Sequence, residues 1–129
     1  MGENTPSENE WLIMEVVWQE KQPITASEII KKLKGTLDIS QKTIRVMIGR
    51  LVAKGVLDYK VDPDDSRIYH YFPIRSKEEC LNLKSTRFVK NYFGGDATLA
   101  IASFLKSANI TDKQLSELEN LVESLKDRQ

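Results

Sequence analysis

The stretch SQKTIRVMIGRLVAKGVLDYKVDPDDSRIYHY, residues 40–71, decides how this chain folds. In its first half Ile44, Met47, Ile48, Leu51 and Val52 recur at helical spacing, between Ser40 as an N-cap and Gly55 as a stop. In its second half the period drops to two. Leu57, Tyr59 and Val61 alternate with Asp58 and Lys60, and Ile68, His70 and Phe72 alternate with Arg67, Tyr69 and Tyr71. Alternation with β-branched and aromatic residues predicts strands over 56–61 and 67–72. Between them Asp62-Pro63-Asp64-Asp65-Ser66 is turn chemistry. A hairpin is marginal by itself in water, so this one must lie on helices. A helix with a basic outer face running into a hairpin is the shape of a helix-turn-helix recognition helix and its wing.

The outer face of that helix follows from the spacing. Lys42, Arg45, Val46 and Gly49 stand at i, i+3, i+4 and i+7, with Thr43 beside them and Arg50 and Lys54 toward the end. Cations near the start of such a helix can donate to guanine O6 and N7, and a Thr or Val methyl can meet the thymine methyl. Lys42, Thr43, Arg45 and Val46 are therefore the expected base readers. Ser40, Arg50, Lys60, Arg67 and Tyr69 are the expected phosphate contacts, which fix register without specifying sequence. Glycine inside a helix costs about 1 kcal/mol relative to alanine. Gly49 thus needs a reason, and close approach of DNA or of another helix would each supply one. The wing tip carries three acids, so the wing is given a smaller share of affinity than the helix. His70, placed on the apolar side of its strand, reads as a packed residue rather than a ligand or catalyst.

Upstream, Ser7-x-x-Glu10 and Thr25-x-x-Glu28 are capping boxes that open two helices. The first, about 8–21, turns Trp11, Met14, Val17 and Trp18 inward and leaves Glu10, Glu15 and Gln19 outside; Pro23 follows its end. The second carries Ile29, Ile30 and Leu33 and ends at Gly35. Downstream, Ser76-x-x-Glu79 opens a helix to about residue 93 with Cys80, Leu83, Phe88, Val89 and Tyr92 on its apolar side, and Gly94-Gly95 stops it. Asp96 caps a helix bearing Leu99, Ala100, Ile101, Phe104 and Leu105. Thr111, with Gln114 three residues on, starts a last one bearing Leu115, Leu118, Leu121, Val122 and Leu125. The expected fold is mainly α with a small β-hairpin: a winged helix-turn-helix domain over 1–74 and a helical dimerisation region over 75–129. Three amphipathic helices after a complete winged helix have little left to cover within one chain. A twofold dimer would bury Phe88, Tyr92, Leu99, Ile101, Phe104, Leu105 and the five apolar residues of the last helix together. The competing arrangement folds them back on the N-terminal domain, which would obstruct the basic face.

The formal net charge is zero, but the charges are segregated. Residues 1–20 hold five acids and no Lys or Arg; residues 21–60 hold nine Lys or Arg against three acids; residues 107–129 hold three against five. A basic middle suits a nucleic-acid partner. No apolar run approaches the ~20 residues that cross a bilayer, and the acidic, polar beginning is unlike a signal peptide. A cytoplasmic protein with no membrane insertion is expected. One cysteine, Cys80, and one histidine, His70, leave no Cys/His cluster, so neither a metal nor any other cofactor is expected. No nucleophile–base pair or phosphate-binding glycine loop can be assembled, which argues against an enzyme. A winged helix used only for protein contact is the alternative function, and the basic segment argues against it.

The order Glu10-Trp11-x-x-Met14-x-x-Val17-Trp18, Thr25-Ala26-Ser27-Glu28-Ile29-Ile30, Lys42-Thr43-Ile44-Arg45-x-x-Ile48-x-Arg50-Leu51-x-x-Lys54-Gly55 and Tyr69-x-Tyr71 resembles the BlaI/MecI/CopY family of bacterial repressors. The resemblance runs through almost the whole chain, including the Gly94-Gly95 break. It implies a homodimeric repressor on an inverted-repeat, double-stranded DNA operator upstream of resistance genes. In the β-lactam branch a sensor protease in the membrane triggers a cut in the C-terminal region, between Asn and Phe in the helix after the glycine pair. Here the matching bond is Ser103–Phe104, without the Asn. The copper branch needs clustered cysteines in a C-terminal tail, and none follows Cys80.

Overall fold

The computed structural model describes residues 4–128. Helix α1 (Glu8–Gln19) is followed by a two-residue strand β1 (Ile24–Thr25), α2 (Ala26–Leu33), α3 (Gln41–Ala53), the hairpin β2 (Leu57–Val61) and β3 (Tyr69–Pro73), and then α4 (Lys77–Phe93), α5 (Ala97–Ser107) and α6 (Asp112–Lys126). The chain forms two compact units, Met1–Ser85 and Thr86–Gln129, divided within α4. The sequence reading draws its boundary at 74/75, ahead of that helix.

The helices begin where local chemistry directs. Ser7, Thr25 and Thr111 each close a full capping box: the hydroxyl accepts from the third backbone N–H, and the Glu or Gln at that position accepts from the cap's own N–H. Ser40 and Asp96 cap α3 and α5 through their side-chain oxygens. The end of α3 is a Schellman motif: Gly55 at φ 77° donates to the Val52 carbonyl at 3.0 Å, and Val56 donates to Leu51 at 3.0 Å. That turn drops the fully buried Val56 and Leu57 into the core and starts β2 at the foot of the recognition helix.

The core of the first unit joins Ile13, Met14 and Val17 of α1, Ile29, Ile30 and Leu33 of α2, and Ile44, Met47, Ile48 and Leu51 of α3 with Ile24, Val56, Leu57 and Cys80. Each helix contributes residues three or four apart, so one stripe of each is dehydrated. Trp11 and Trp18 meet edge to face at 5.1 Å and pack partly buried against this core. The Trp18 Nε1–H donates to the Arg75 carbonyl at 2.9 Å, tying α1 to the segment before α4. In the second unit Phe88, Phe93 and Phe104 gather with ring centroids about 6 Å apart, and Ala100 is buried.

The structure departs from the sequence reading in four places. First, α1 ends at Gln19 rather than 21, because Glu20 is already extended (ψ 135°). Second, the wing is three-stranded, in the order β1-β3-β2, with Ile24 opposite Tyr71 and Thr25 opposite His70. Third, the faces of β3 are reversed. Its register sets Tyr71 opposite Tyr59 and His70 opposite Lys60, and Tyr71, not His70, packs toward the core. Burying Ile24 beside Tyr71 fixes that choice, and His70 goes to the face that carries Lys60. Strand β3 also begins at Tyr69, which leaves Arg67 and Ile68 in the loop. Fourth, Glu10 is buried rather than outside, and Lys54 is turned away from the outer face of α3. Lys54 Nζ lies 2.5 Å from Glu10 Oε1 and also donates to the Thr5 carbonyl at 3.2 Å. Burial opposes the charged carboxylate, but Lys54 and the Ser7 N–H outweigh it and hold the Glu10 carboxyl below its ordinary value.

Candidate nucleic-acid interface

With Lys54 engaged at Glu10, the outer face of α3 reduces to Lys42, Arg45, Val46, Gly49 and Arg50, all exposed, with Thr43 at its start. Lys42 and Arg50 have no ion-pair or hydrogen-bond partner among the described residues, so both ammonium and guanidinium are available to an anion. Val46 is 47% exposed although apolar, which suits a methyl contact to a base edge. Ser40 and Thr43 are partly committed: Ser40 Oγ accepts from the Thr43 N–H at 3.1 Å, and the two hydroxyls lie 2.8 Å apart. The Thr43 hydroxyl is thereby engaged with Ser40. A Cβ built on Gly49 would meet nothing within 4 Å, so packing inside the chain does not account for that glycine.

Arg45 leans sideways. Its Nη2 lies 3.4 Å from Ser27 Oγ on α2, and its positive charge acts on Tyr71 of β3. Burial is the main cause that pushes the Tyr71 hydroxyl above its ordinary value, and Arg45 opposes the shift. Between these elements lies a groove of about 410 Å³ lined by Thr25, Ala26, Ser27, Arg45, Arg67, Ile68, Tyr69 and Tyr71. Thr25, the N-cap of α2, and Ser27, in its first turn, were not among the contact residues expected from the sequence. The capping box disguised them as helix-start chemistry, and a hydroxyl pair there is the signal that was available.

The wing tip consumes its own acids. Asp62 accepts from the Asp64 and Asp65 N–H groups at 2.9 and 3.0 Å and lies 2.8 Å from His70 Nε2. The His70 contact, followed by those backbone donors, holds the Asp62 carboxyl below its ordinary value. Asp65 receives the Arg67 guanidinium through two parallel contacts of 3.0 Å, and Arg67 lowers its carboxyl likewise. Both carboxylates stay ionised but locally engaged, and Arg67, one of the expected phosphate contacts, is shared with Asp65. Lys60 lies 5.9 Å over the Phe72 ring, on the face opposite the tyrosines. Tyr69 stacks on Tyr59 at 4.3 Å with planes 10° apart, and Tyr71 tilts against both. Lys60 is thus separated from Tyr69 by the thickness of the hairpin, so the two cannot act on one patch.

A helix-turn-helix with a free basic face, backed by a three-stranded wing, defines a winged-helix DNA-binding regulator. The solution structure of the DNA-binding domain of the repressor BlaI superposes with TM-score 0.51 at 31% identity, over 60% of this chain and 90% of that one. The wild-type MarR structure from E. coli matches with TM-score 0.51 at 18% identity, covering 92% of this chain and 77% of that one, which is a likeness of fold. The model of the penicillinase repressor family matches residues 6–124, and the chain belongs to that family. It is a family of transcriptional repressors, not of enzymes. The penicillinase repressor of Bacillus licheniformis is 29% identical over 122 residues, 95% of this chain and 92% of that protein. The methicillin resistance regulatory protein MecI of Staphylococcus aureus is 28% identical over 116 residues, 90% of this chain and 91% of that protein. No helix of the described residues is long and apolar enough to cross a membrane.

Proposed function

We propose that this protein is a sequence-specific repressor that binds an inverted-repeat DNA operator as a homodimer, acts in the cytoplasm, and leaves the operator when a signal acts on its C-terminal region. The observation that carries the reading is the coexistence of two unfilled surfaces. One is the basic face of α3. The other is the apolar side of α4, α5 and α6, where Phe88, Tyr92, Leu99, Ile101, Phe104 and Leu105, and Leu115, Leu118, Leu121, Val122 and Leu125, are all exposed in the single chain. Exposure on that scale marks an interface, and a second copy covers both sets at once.

Lys42, Thr43 and Val46 supply base contacts, and Arg50 and Tyr69 hold the backbone. The two recognition helices of a dimer read half-sites about 34 Å, or a multiple of that, apart. Repression follows by occlusion of the promoter. Ser103–Phe104 is the candidate bond for an inactivating cut by a sensor protease. It lies inside α5, with Phe104 against Phe88 and Phe93, so the helix must open before a protease can seat it.

Selection of duplexes from a random pool by the full chain tests the reading. A palindrome recovered by the wild-type protein, and lost in a Leu118→Glu/Leu121→Glu variant that sediments as a folded monomer, is the expected result. Binding of a single asymmetric half-site with equal affinity by both proteins would refute the dimer.

A further inference from the structure

The groove between α2, α3 and the wing is not explained by stability. It is lined by two guanidiniums, Arg45 and Arg67, by the hydroxyls of Thr25, Ser27, Tyr69 and Tyr71, and by no carboxylate. Every charged group on its wall is positive, and the side chains at its rim, Ser27, Arg45, Arg67 and Tyr69, are exposed. Arg45 has a hydroxyl but no carboxylate partner among the described residues, so an anion in the groove would gain its charge without displacing an acid. Of the wing's acids, Asp65 is paired with the groove's own Arg67 and Asp62 with His70. The groove's aromatic wall is fixed, because Tyr69 is held in its stack on Tyr59.

We propose that this groove takes one DNA backbone phosphate, and that Arg45 clamps that phosphate from the side of α2 instead of reading a base. The inference rests on the DNA-binding reading above and divides the recognition helix within it. Arg45 is directed away from the helix's outward normal, toward Ser27, whose hydroxyl steers the guanidinium and remains free to donate to a phosphate oxygen. Lys42 and Val46, without such a tether, face outward and carry the sequence preference. Tyr69 donates its hydroxyl from the opposite wall. Arg67 joins when the phosphate competes with Asp65 for its guanidinium. Arginine suits the position because its planar fork meets two oxygens of a phosphodiester at once.

The test uses the full chain and two probes: the duplex that the wild-type protein selects from a random pool, and a scrambled duplex of the same length and composition. Arg45→Ala should weaken both by the same factor, roughly tenfold, and make the salt dependence of log K shallower by about 0.9, the value for one phosphate contact. Arg45→Lys should recover part of the affinity on both duplexes, and Ser27→Ala should lose a smaller, equal factor on both. Lys42→Ala should instead narrow the ratio between the two duplexes. A changed base preference in Arg45→Ala would overturn the clamp and make Arg45 a base reader. Unchanged binding in Arg45→Ala alongside a clear Lys42→Ala defect would overturn the groove while leaving the DNA reading standing. Unchanged binding in both variants would overturn the groove and remove α3 as the DNA-contacting helix, whereas failure of the wild-type protein to select any duplex would remove the DNA reading itself.

Discussion

Replacing Lys54 by methionine should be among the most damaging single changes in the winged-helix unit, although its position in the sequence suggests a surface residue on the recognition helix. The Glu10 side chain is 3% exposed and that of Lys54 27%. Lys54→Met leaves the Glu10 carboxylate with the Ser7 N–H at 2.9 Å and little else. Removing one partner of a buried pair costs about 3–5 kcal/mol, and the partial hydration of Lys54 places this case near 3. In a unit of this size that corresponds to a drop in Tm of roughly 10–20 °C. Glu10→Gln alone should cost less, because Gln still accepts from Ser7 and completes the capping box. The double variant Glu10→Gln/Lys54→Met should be more stable than Lys54→Met alone, since the stranded charge is gone. Equilibrium urea denaturation of the four proteins measures this. The pH dependence has a defined sign: a carboxyl held below its ordinary value of 4.5 when folded contributes stability above that pH, and loses it as pH falls through the lower folded value. The margin between wild type and Lys54→Met should therefore shrink as pH drops below about 4.5. A Lys54→Met cost under about 1 kcal/mol, well short of the range for a broken buried pair, would refute the argument. So would a double variant no better than that single.

Gly49→Ala should stabilise α3 by up to about 1 kcal/mol, because the site is open and helical. If DNA approaches there, the same variant binds its selected duplex more weakly, so thermal stability and affinity move in opposite directions; a rise in both would remove DNA from the explanation of Gly49. Cys80 is fully buried, and burial pushes its thiol above the ordinary value. Alkylation at mildly alkaline pH should be slow in the native protein and rapid in urea, and a native rate equal to that of a free thiol would contradict its place in the core.

The helices were legible because their starts are written locally. A hydroxyl followed three residues later by Glu or Gln needs only its own turn to act, and Ser7, Thr25 and Thr111 all behave so. What the sequence concealed depends on partners far away in the chain. The two residues of β1 are too few to show a period, and only β3 makes them a strand. In β3 aromatic residues occupy both faces, so hydropathy could not choose between His70 and Tyr71; the buried Ile24 opposite Tyr71 chose. Glu10 belongs to a capping box, which normally leaves the carboxylate wet, and nothing near it announces Lys54, 44 positions on. At the interface, Lys42, Val46 and Gly49 follow from helix arithmetic. The lean of Arg45 toward Ser27 does not, since it needs the angle between α2 and α3.

The edge-to-face contact of Trp11 and Trp18 also divides the molecule optically. Both indoles of the protein sit on α1, and the unit Thr86–Gln129 contains neither. Tryptophan emission is therefore a readout of the winged helix alone, whereas far-ultraviolet dichroism also counts α5 and α6. Superimposable curves from the two probes would report a single cooperative transition, and staggered curves would report separate melting of the units, without a label or a truncated chain.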